Sequence, residues 1–145
     1  MPDTSRHSFF SRLIARCWHL WGLGLCYQGN RNADRSYFLA GVSAFDRATQ
    51  LWPGFAEPYF QRGVIRGREL GDYAAAIRDL STALNIRPEW PEPYLQRGLF
   101  HRFRGRNQDA IHDLQHYIDL APPGYWRNEA EQQLAAIAAE LDEQS

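Results

Sequence analysis

The sequence predicts an all-α chain of stacked helical hairpins, and three observations carry that expectation. The first is self-similarity: "EPYFQRG" at Glu57 to Gly63 returns as "EPYLQRG" at Glu92 to Gly98, an offset of 35, and "AIRDL" at Ala76 to Leu80 returns as "AIHDL" at Ala110 to Leu114, an offset of 34. Similarity at a fixed period of this size marks a stack of supersecondary units, each unable to bury its apolar face alone. The second is periodicity. Ala76, Ile77, Leu80, Ala83 and Leu84, and again Ala110, Ile111, Leu114, Tyr117 and Ile118, follow the i, i+1, i+4, i+7, i+8 spacing of an amphipathic helix. The third is punctuation. Pro58 and Pro93 stand early in the first helix of each unit, where the missing N–H costs nothing, and Gly71 and Gly105 close those helices.

Taken in order, seven helices are expected near residues 9 to 28, 34 to 51, 57 to 69, 73 to 86, 92 to 104, 107 to 119 and 125 to 142. In the first, Phe10, Leu13, Ile14, Cys17, Trp18, Trp21 and Leu25 follow helical spacing, with Arg12, Arg16 and His19 on another face. Gly22 and Gly24 weaken any single continuous helix there, and "GNRNADR" after it reads as a loop. The second helix supplies half of an earlier, degenerate unit: Val42, Phe45, Ala48, Leu51 and Pro53 match Ile77, Leu80, Ala83, Ile86 and Pro88 at an offset of 35. The next four helices form the two clear hairpins. Gly63 and Gly98 lie inside their first helices at a cost of about 1 kcal/mol each relative to Ala. Close approach of the paired helix near Ala76 and Ala110 is expected to offset it. The last helix, "YWRNEAEQQLAAIAAELDEQ", repeats Ala and Leu at helical spacing with an acidic outer face, as a cap on such a stack should. Three parts are expected: an aromatic and basic helix and loop over residues 1 to 33, the repeat array over 34 to 122, and a capping helix with an acidic tail over 123 to 145.

The repeated strings resemble the tetratricopeptide repeat family, in a common bacterial-style variant. The family's small and large positions map onto Tyr59, Gly63, Tyr73, Ala76, Leu80, Ala83 and Pro88 in the second unit and Tyr94, Gly98, Ala110, Leu114 and Pro122 in the third. Asn107 stands where an aromatic is usual and Tyr117 where Ala is usual. The resemblance implies a helical-hairpin solenoid of about three repeats, the first degenerate, with a capping helix, and a non-enzymatic role holding a partner in a concave groove. Carried over residue by residue, that groove comprises Phe60, Gln61, Val64 and Arg68 from one repeat and Leu95, Gln96, Leu99, Arg102 and Phe103 from the next. An apolar floor with an Arg rim implies a mostly apolar or helical protein segment with some acidic character. The carboxylate-clamp subclass, which grips acidic chaperone tails, needs basic and amide residues where Glu57, Phe60, Val64, Glu92 and Gln96 stand, so that role is disfavoured. An alternative leaves the groove filled by the N-terminal helix or covered by a neighbouring copy.

Charge and composition bound the rest. All 16 cationic residues counted as Lys+Arg are Arg, and the formal net charge is −1. Residues 1 to 106 carry 15 Arg against nine acids, a balance of +6, while residues 107 to 145 carry Arg127 against eight acids, a balance of −7. A chain with so small a net charge is a poor fit to a dedicated nucleic-acid binder, although His101, Arg102, Arg104 and Arg106 form a local basic cluster. No phosphate loop, nucleophile elbow or zinc-protease motif is present, so no enzyme, cofactor or metal is expected. His112 and His116 are spaced i, i+4, but read as a solvated face; Cys17 and Cys26 read as buried reduced thiols. Arg62 and Arg97 recur with Asp79 and Asp113, a pattern suggesting an Arg to Asp pair inside or between repeats; surface pairs of this kind contribute only about 0 to 1 kcal/mol.

The N-terminal helix leaves two readings. Phe9, Phe10, Leu13, Trp18 and Trp21 beside Arg12 and Arg16 have the pattern of an interfacial membrane helix or a contact with a membrane complex. The same residues would also suit a first repeat helix buried against residues 37 to 51. The first reading makes the chain an adaptor, assembly factor or accessory subunit at a membrane periphery; the second makes it a freely soluble regulator or chaperone. No apolar run reaches the length of a spanning helix, no export signal is expected, and a cytoplasmic setting follows, with a peripheral membrane position as its refinement.

Overall fold

In a computed structural model describing residues 4–145, helices α1 (Thr4–Asn32), α2 (Arg35–Leu51), α3 (Ala56–Arg68), α4 (Tyr73–Ile86), α5 (Pro91–Phe103), α6 (Asn107–Leu120) and α7 (Tyr125–Glu143) follow one another, and no strand occurs among the described residues. Short connections fold α1 onto α2, α3 onto α4 and α5 onto α6, and α7 lies on α6. The all-α hairpin solenoid expected from the repeats is the fold. Gly71 and Gly105, at φ +71° and +70°, turn the chain after α3 and α5 in the left-handed conformation that glycine adopts without a Cβ penalty. Asp72 then caps α4 by accepting from the Ala75 N–H at 3.1 Å.

The N-terminal end departs from expectation. α1 is one continuous helix through Gly22, Gly24 and most of "GNRNADR"; only Ala33 and Asp34 connect it to α2, and Asp34 caps α2 by accepting from the Ser36 N–H at 2.9 Å. The reason lies in what the glycines touch. A Cβ on Gly22 would sit 2.6 Å from the Phe45 ring and one on Gly29 3.0 Å from Phe38, so these residues let α2 approach closely, and that contact offsets their poor helix propensity. The first repeat therefore has both of its helices, α1 supplying the half that the sequence does not display.

Buried side chains form three clusters along the stack. Cys26, Phe38, Phe45 and Ile65 join α1, α2 and α3; Ala76, Leu80 and Phe100 join α4 to α5; Leu95, Ala110, Leu114, Tyr117, Ala130 and Ile137 join α5, α6 and α7. Within the hairpins the expected close approach holds at Gly63, where a Cβ would lie 3.1 Å from the Ala76 carbonyl oxygen. At Gly98 the paired helix comes as close: a Cβ there would lie 3.1 Å from Leu114 Cγ and 3.2 Å from Asp113 Cβ.

Two arginines stitch the stack together. Arg62 donates to both oxygens of Asp79 at 2.9 and 2.6 Å and to Asp46 of the preceding repeat at 2.6 Å. Arg97 does the same one repeat later, donating to both oxygens of Asp113 at 2.7 Å and to Ser81 at 2.9 Å. Asp79 and Asp113 are buried. These are interior, bidentate pairs and not the superficial ones that contribute little.

Candidate functional site

The first helices of successive repeats, α3 and α5, stand beside α7 and enclose a cleft. One part, of about 370 Å³, is lined by Arg68, Tyr73, Gln96, Leu99, Phe100 and Phe103, with Trp126 closing it. A second part, of about 700 Å³, continues past Leu99, Arg102 and Phe103 to Tyr125, Trp126, Glu129 and Gln133. Gly67 is the reason the cleft has a floor: a Cβ there would lie 2.2 Å from Phe100 Cζ, so the absence of a side chain lets the buried Phe100 ring seat beneath it. Tyr73 stacks on Phe103 with centroids 5.5 Å apart, holding an aromatic wall whose outer member is 69% exposed. Tyr125 and Trp126, at 71% and 57% exposed, form the opposite wall.

Of the groove residues expected from sequence, Arg68, Gln96, Leu99, Arg102 and Phe103 line this cleft. The other four do not. Leu95 is 4% exposed and packs with Leu114 and Tyr117, because the α5 position facing α6 is a core position. Phe60 leans on Trp90 at a centroid distance of 4.7 Å and on the α4 cluster, sealing the joint between repeats. Gln61 and Val64 are half-buried on α3 outside the lining. Arg102 is not a free rim cation either: it donates to Gln133, and to Glu140 at 2.9 Å, tying α5 to α7. Arg68 is exposed and makes no ion pair among the described residues.

Tyr125 and Trp126 are absent from the sequence-derived groove. α7 reads as a cap from its Ala and Leu spacing, and the signal that separates wall from cap is the pair of large aromatics at its first turn. α1 does not enter the cleft: it is committed to α2 at the other end of the stack.

Of the two readings of the α1 face, the one that buries its large apolar residues against α2 does not hold. The side against α2 carries small residues, Ala15, Gly22, Cys26 and Gly29, with His19 between Phe45 and Phe55. Phe9, Phe10, Leu13, Ile14 and Trp21 point away, and Cys17, expected buried, is exposed. Arg12 and Arg16 lie over the Trp52 ring at 5.2 and 5.6 Å. Burial pushes the Cys26 thiol up to about 11, with Glu69 adding to the effect, so that thiol stays protonated.

The His112 and His116 rings lie tilted against each other at 4.6 Å, with Tyr94 stacked on His116 at 5.1 Å, and both histidines are exposed. Among the described residues no group of three or more metal-ligating side chains converges. Likewise none of the described helices is long and apolar enough to cross a membrane.

No family model matches the sequence, and no curated protein does. Solved structures do match its fold. The Arabidopsis OM64 TPR domain superposes with a TM-score of 0.76 at 22% identity, covering 87% of this chain and 98% of that one. The first TPR of Spaghetti (RPAP3), solved bound to the HSP90 peptide SRMEEVD, gives 0.70 at 18% identity, covering 86% and 95%. The Yersinia enterocolitica type III secretion translocator chaperone SycD gives 0.71 at 15% identity, covering 82% and 84%. With three helical hairpins, the small residues at their crossings and this likeness across most of its length, the chain has the fold of a tetratricopeptide repeat domain.

Proposed function

We propose that the protein is a non-enzymatic interaction module that holds a segment of a protein partner in the cleft between α3, α5 and α7. The observation that carries this reading is the uncovered aromatic lining of Phe103, Tyr125 and Trp126 over a fixed floor of Leu99 and Phe100. The lining offers apolar burial and hydrogen bonds and contains no cysteine, serine or histidine. Its polarity is directional: Arg68 stands on the α3 side and Glu129 on the α7 side. A helical or apolar segment whose acidic residues lie toward α3 fits it. Two structural neighbours lend support, one bound to a peptide with an acidic end and one named as a chaperone of translocators.

The finer role is that of an adaptor, assembly factor or accessory subunit in the cytoplasm, at the periphery of a membrane assembly. That setting rests on the uncovered apolar side of α1. A freely soluble regulator or chaperone is the alternative, and the first-repeat contact between α1 and α2 favours it only for the small-residue side of the helix.

Affinity capture followed by mass spectrometry, run in parallel with wild type, Leu99→Asp and Phe103→Asp, tests the cleft. A protein retained by wild type should be lost from both variants, each removing an apolar contact of about 2 kcal/mol, roughly thirtyfold in affinity. Equal capture by folded variants would overturn the reading.

A further inference from the structure

The two ends of the stack are finished differently. At one end α7 faces outward with Glu131, Gln132, Ala135, Ala138 and Asp142, the polar surface a terminal repeat needs. At the other end α1 turns outward Phe9, Phe10, Leu13, Ile14, Leu20 and Trp21, of which Phe9, Leu20 and Trp21 are each more than 60% exposed.

The repeat itself shows what this outward face is. Gly22 meets Phe45 as Gly63 meets Leu80 and Gly98 meets Leu114, so the three glycines are equivalent. The residue before each is therefore equivalent too. In the second and third repeats it is Arg62 and Arg97, each reaching back to the preceding repeat. In the first it is Trp21, with no repeat before it among the described residues. A stacking position is thus apolar on the outward side of α1, where the surface of a capping helix is polar. Exposed apolar surface of this extent marks an interaction site.

Charge selects the occupant. α1 contains no acidic residue, and residues 4–51 carry six Arg against Asp34 and Asp46, of which Asp46 is held by Arg62 and Asp34 by its cap. Arg12 and Arg16 border the apolar face on the side of Trp52, and Arg47 borders it on the side of α2, beside Trp18, Trp21 and Leu25. None of these three makes an ion pair among the described residues. A second copy meeting this face with its own would bring the same unpaired cations against them. A second copy meeting it with the α7 end would set bulky apolar side chains on Glu, Gln and Ala. A bilayer with anionic headgroups answers both features at once: acyl chains and interfacial water for the aromatics, phosphates for the arginines. From Phe9 to Leu25 the ridge is about 24 Å long, which suits a helix lying in the interface plane.

We infer that the outward face of α1 docks the protein on anionic lipid bilayers. This rests on the peripheral-membrane part of the function proposed above and is independent of the cleft. The test is flotation of the full chain with vesicles of phosphatidylcholine alone and of an equimolar phosphatidylcholine–phosphatidylglycerol mixture, with the Leu13→Glu/Trp21→Glu double variant, a Leu20→Ser variant and Leu99→Asp in parallel. Circular dichroism confirms that each variant is folded. Expected are at least about tenfold more protein on the anionic vesicles, loss of most of it at about 1 M salt, loss in the double variant, a smaller drop in Leu20→Ser and none in Leu99→Asp. Absence of flotation on anionic vesicles, or flotation unchanged by the double variant, would overturn the inference. So would a vesicle-free dimer that the double variant dissociates, since the face would then be covered by a second copy. Failure here with partner capture still lost in Leu99→Asp leaves the cleft standing, so the two readings fall separately.

Discussion

Arg97 and Glu131 both take part in ion pairs, and removing their charges should have unequal consequences. Arg97→Met leaves Asp113, 2% exposed, with its main partner gone, and should destabilise the fold by about 3 kcal/mol in urea titration. Glu131→Gln breaks a pair to Arg127 with an exposed carboxylate and should change stability by about 0.5 kcal/mol or less. Histidines give a second prediction. Desolvation depresses the folded pKa of His19, against a raising effect of Glu57, and that of His101, against Asp113 and Asp109; both have a buried Nδ1 without a hydrogen-bond partner. Because the unfolded chain takes up these protons first, near 6.5, stability is full above that pH and falls as pH drops from 6.5 through the depressed folded values. Denaturation midpoints should be flat from pH 8 to 7 and decline toward pH 5, less steeply in a His19→Phe/His101→Gln variant. The Arg and Asp partners were legible in the sequence, because they recur at the repeat offset. Their burial was not, since a repeated charge pair looks the same on a surface as at a helix crossing.

At the scale of the element, helix α1 shows where reading periodicity stops. Its large apolar residues announce an amphipathic helix, and spacing alone leaves open whether they turn inward onto α2 or outward. The contact with α2 is made instead by Ala15, Gly22, Cys26 and Gly29, whose small size is what permits the approach. Hydrophobic spacing weighs large side chains and passes over small ones, so the direction of the face stays hidden until the partner helix is in place. Helix α5 makes the same point in miniature, with Leu95 and Leu99 both apolar and only Leu99 on the cleft. Helix α3 supplies the prediction. Gly67→Ala gains about 1 kcal/mol of helix propensity but forces a Cβ against the buried Phe100 ring, and should destabilise by about 2 kcal/mol net in thermal or urea melts. If Gly67→Ala stabilises the protein, Phe100 is not the fixed floor described.

For the whole molecule, the repeat strings made the architecture readable from Arg35 to Pro122, and the two ends were where information ran short. α7 had no repeat to compare with, so the two aromatics of its first turn read as part of a cap. The charge imbalance along the chain becomes geometry: a cationic end at α1 and an anionic end at α7, with the cleft nearer the latter. Removing residues 125–145 should therefore abolish partner capture through loss of Tyr125 and Trp126 and leave vesicle flotation unchanged, a separation that pull-down and flotation of one truncated protein would read directly.

The two arginine stitches also govern the order in which the stack comes apart. Arg62 and Arg97 each bind a carboxylate in their own hairpin and a polar group in the one before, so opening any one hairpin between α2 and α6 breaks a contact in its neighbour. Between α6 and α7 no arginine-to-carboxylate pair occurs among the described residues; α7 is held by Ala130 and Ile137, with Leu134 and Leu141, against the α5 and α6 cluster, by Arg127 donating to the Ala121 carbonyl at 3.1 Å, and by Arg102 reaching Gln133 and Glu140. Hydrogen exchange should accordingly begin at α7 and move inward. One wall of the cleft stands on the first helix to fray, and whatever binds there stabilises the closed form in proportion to its concentration. Occupancy would then be visible as slowed exchange along α7, before any change in the global melting of the protein.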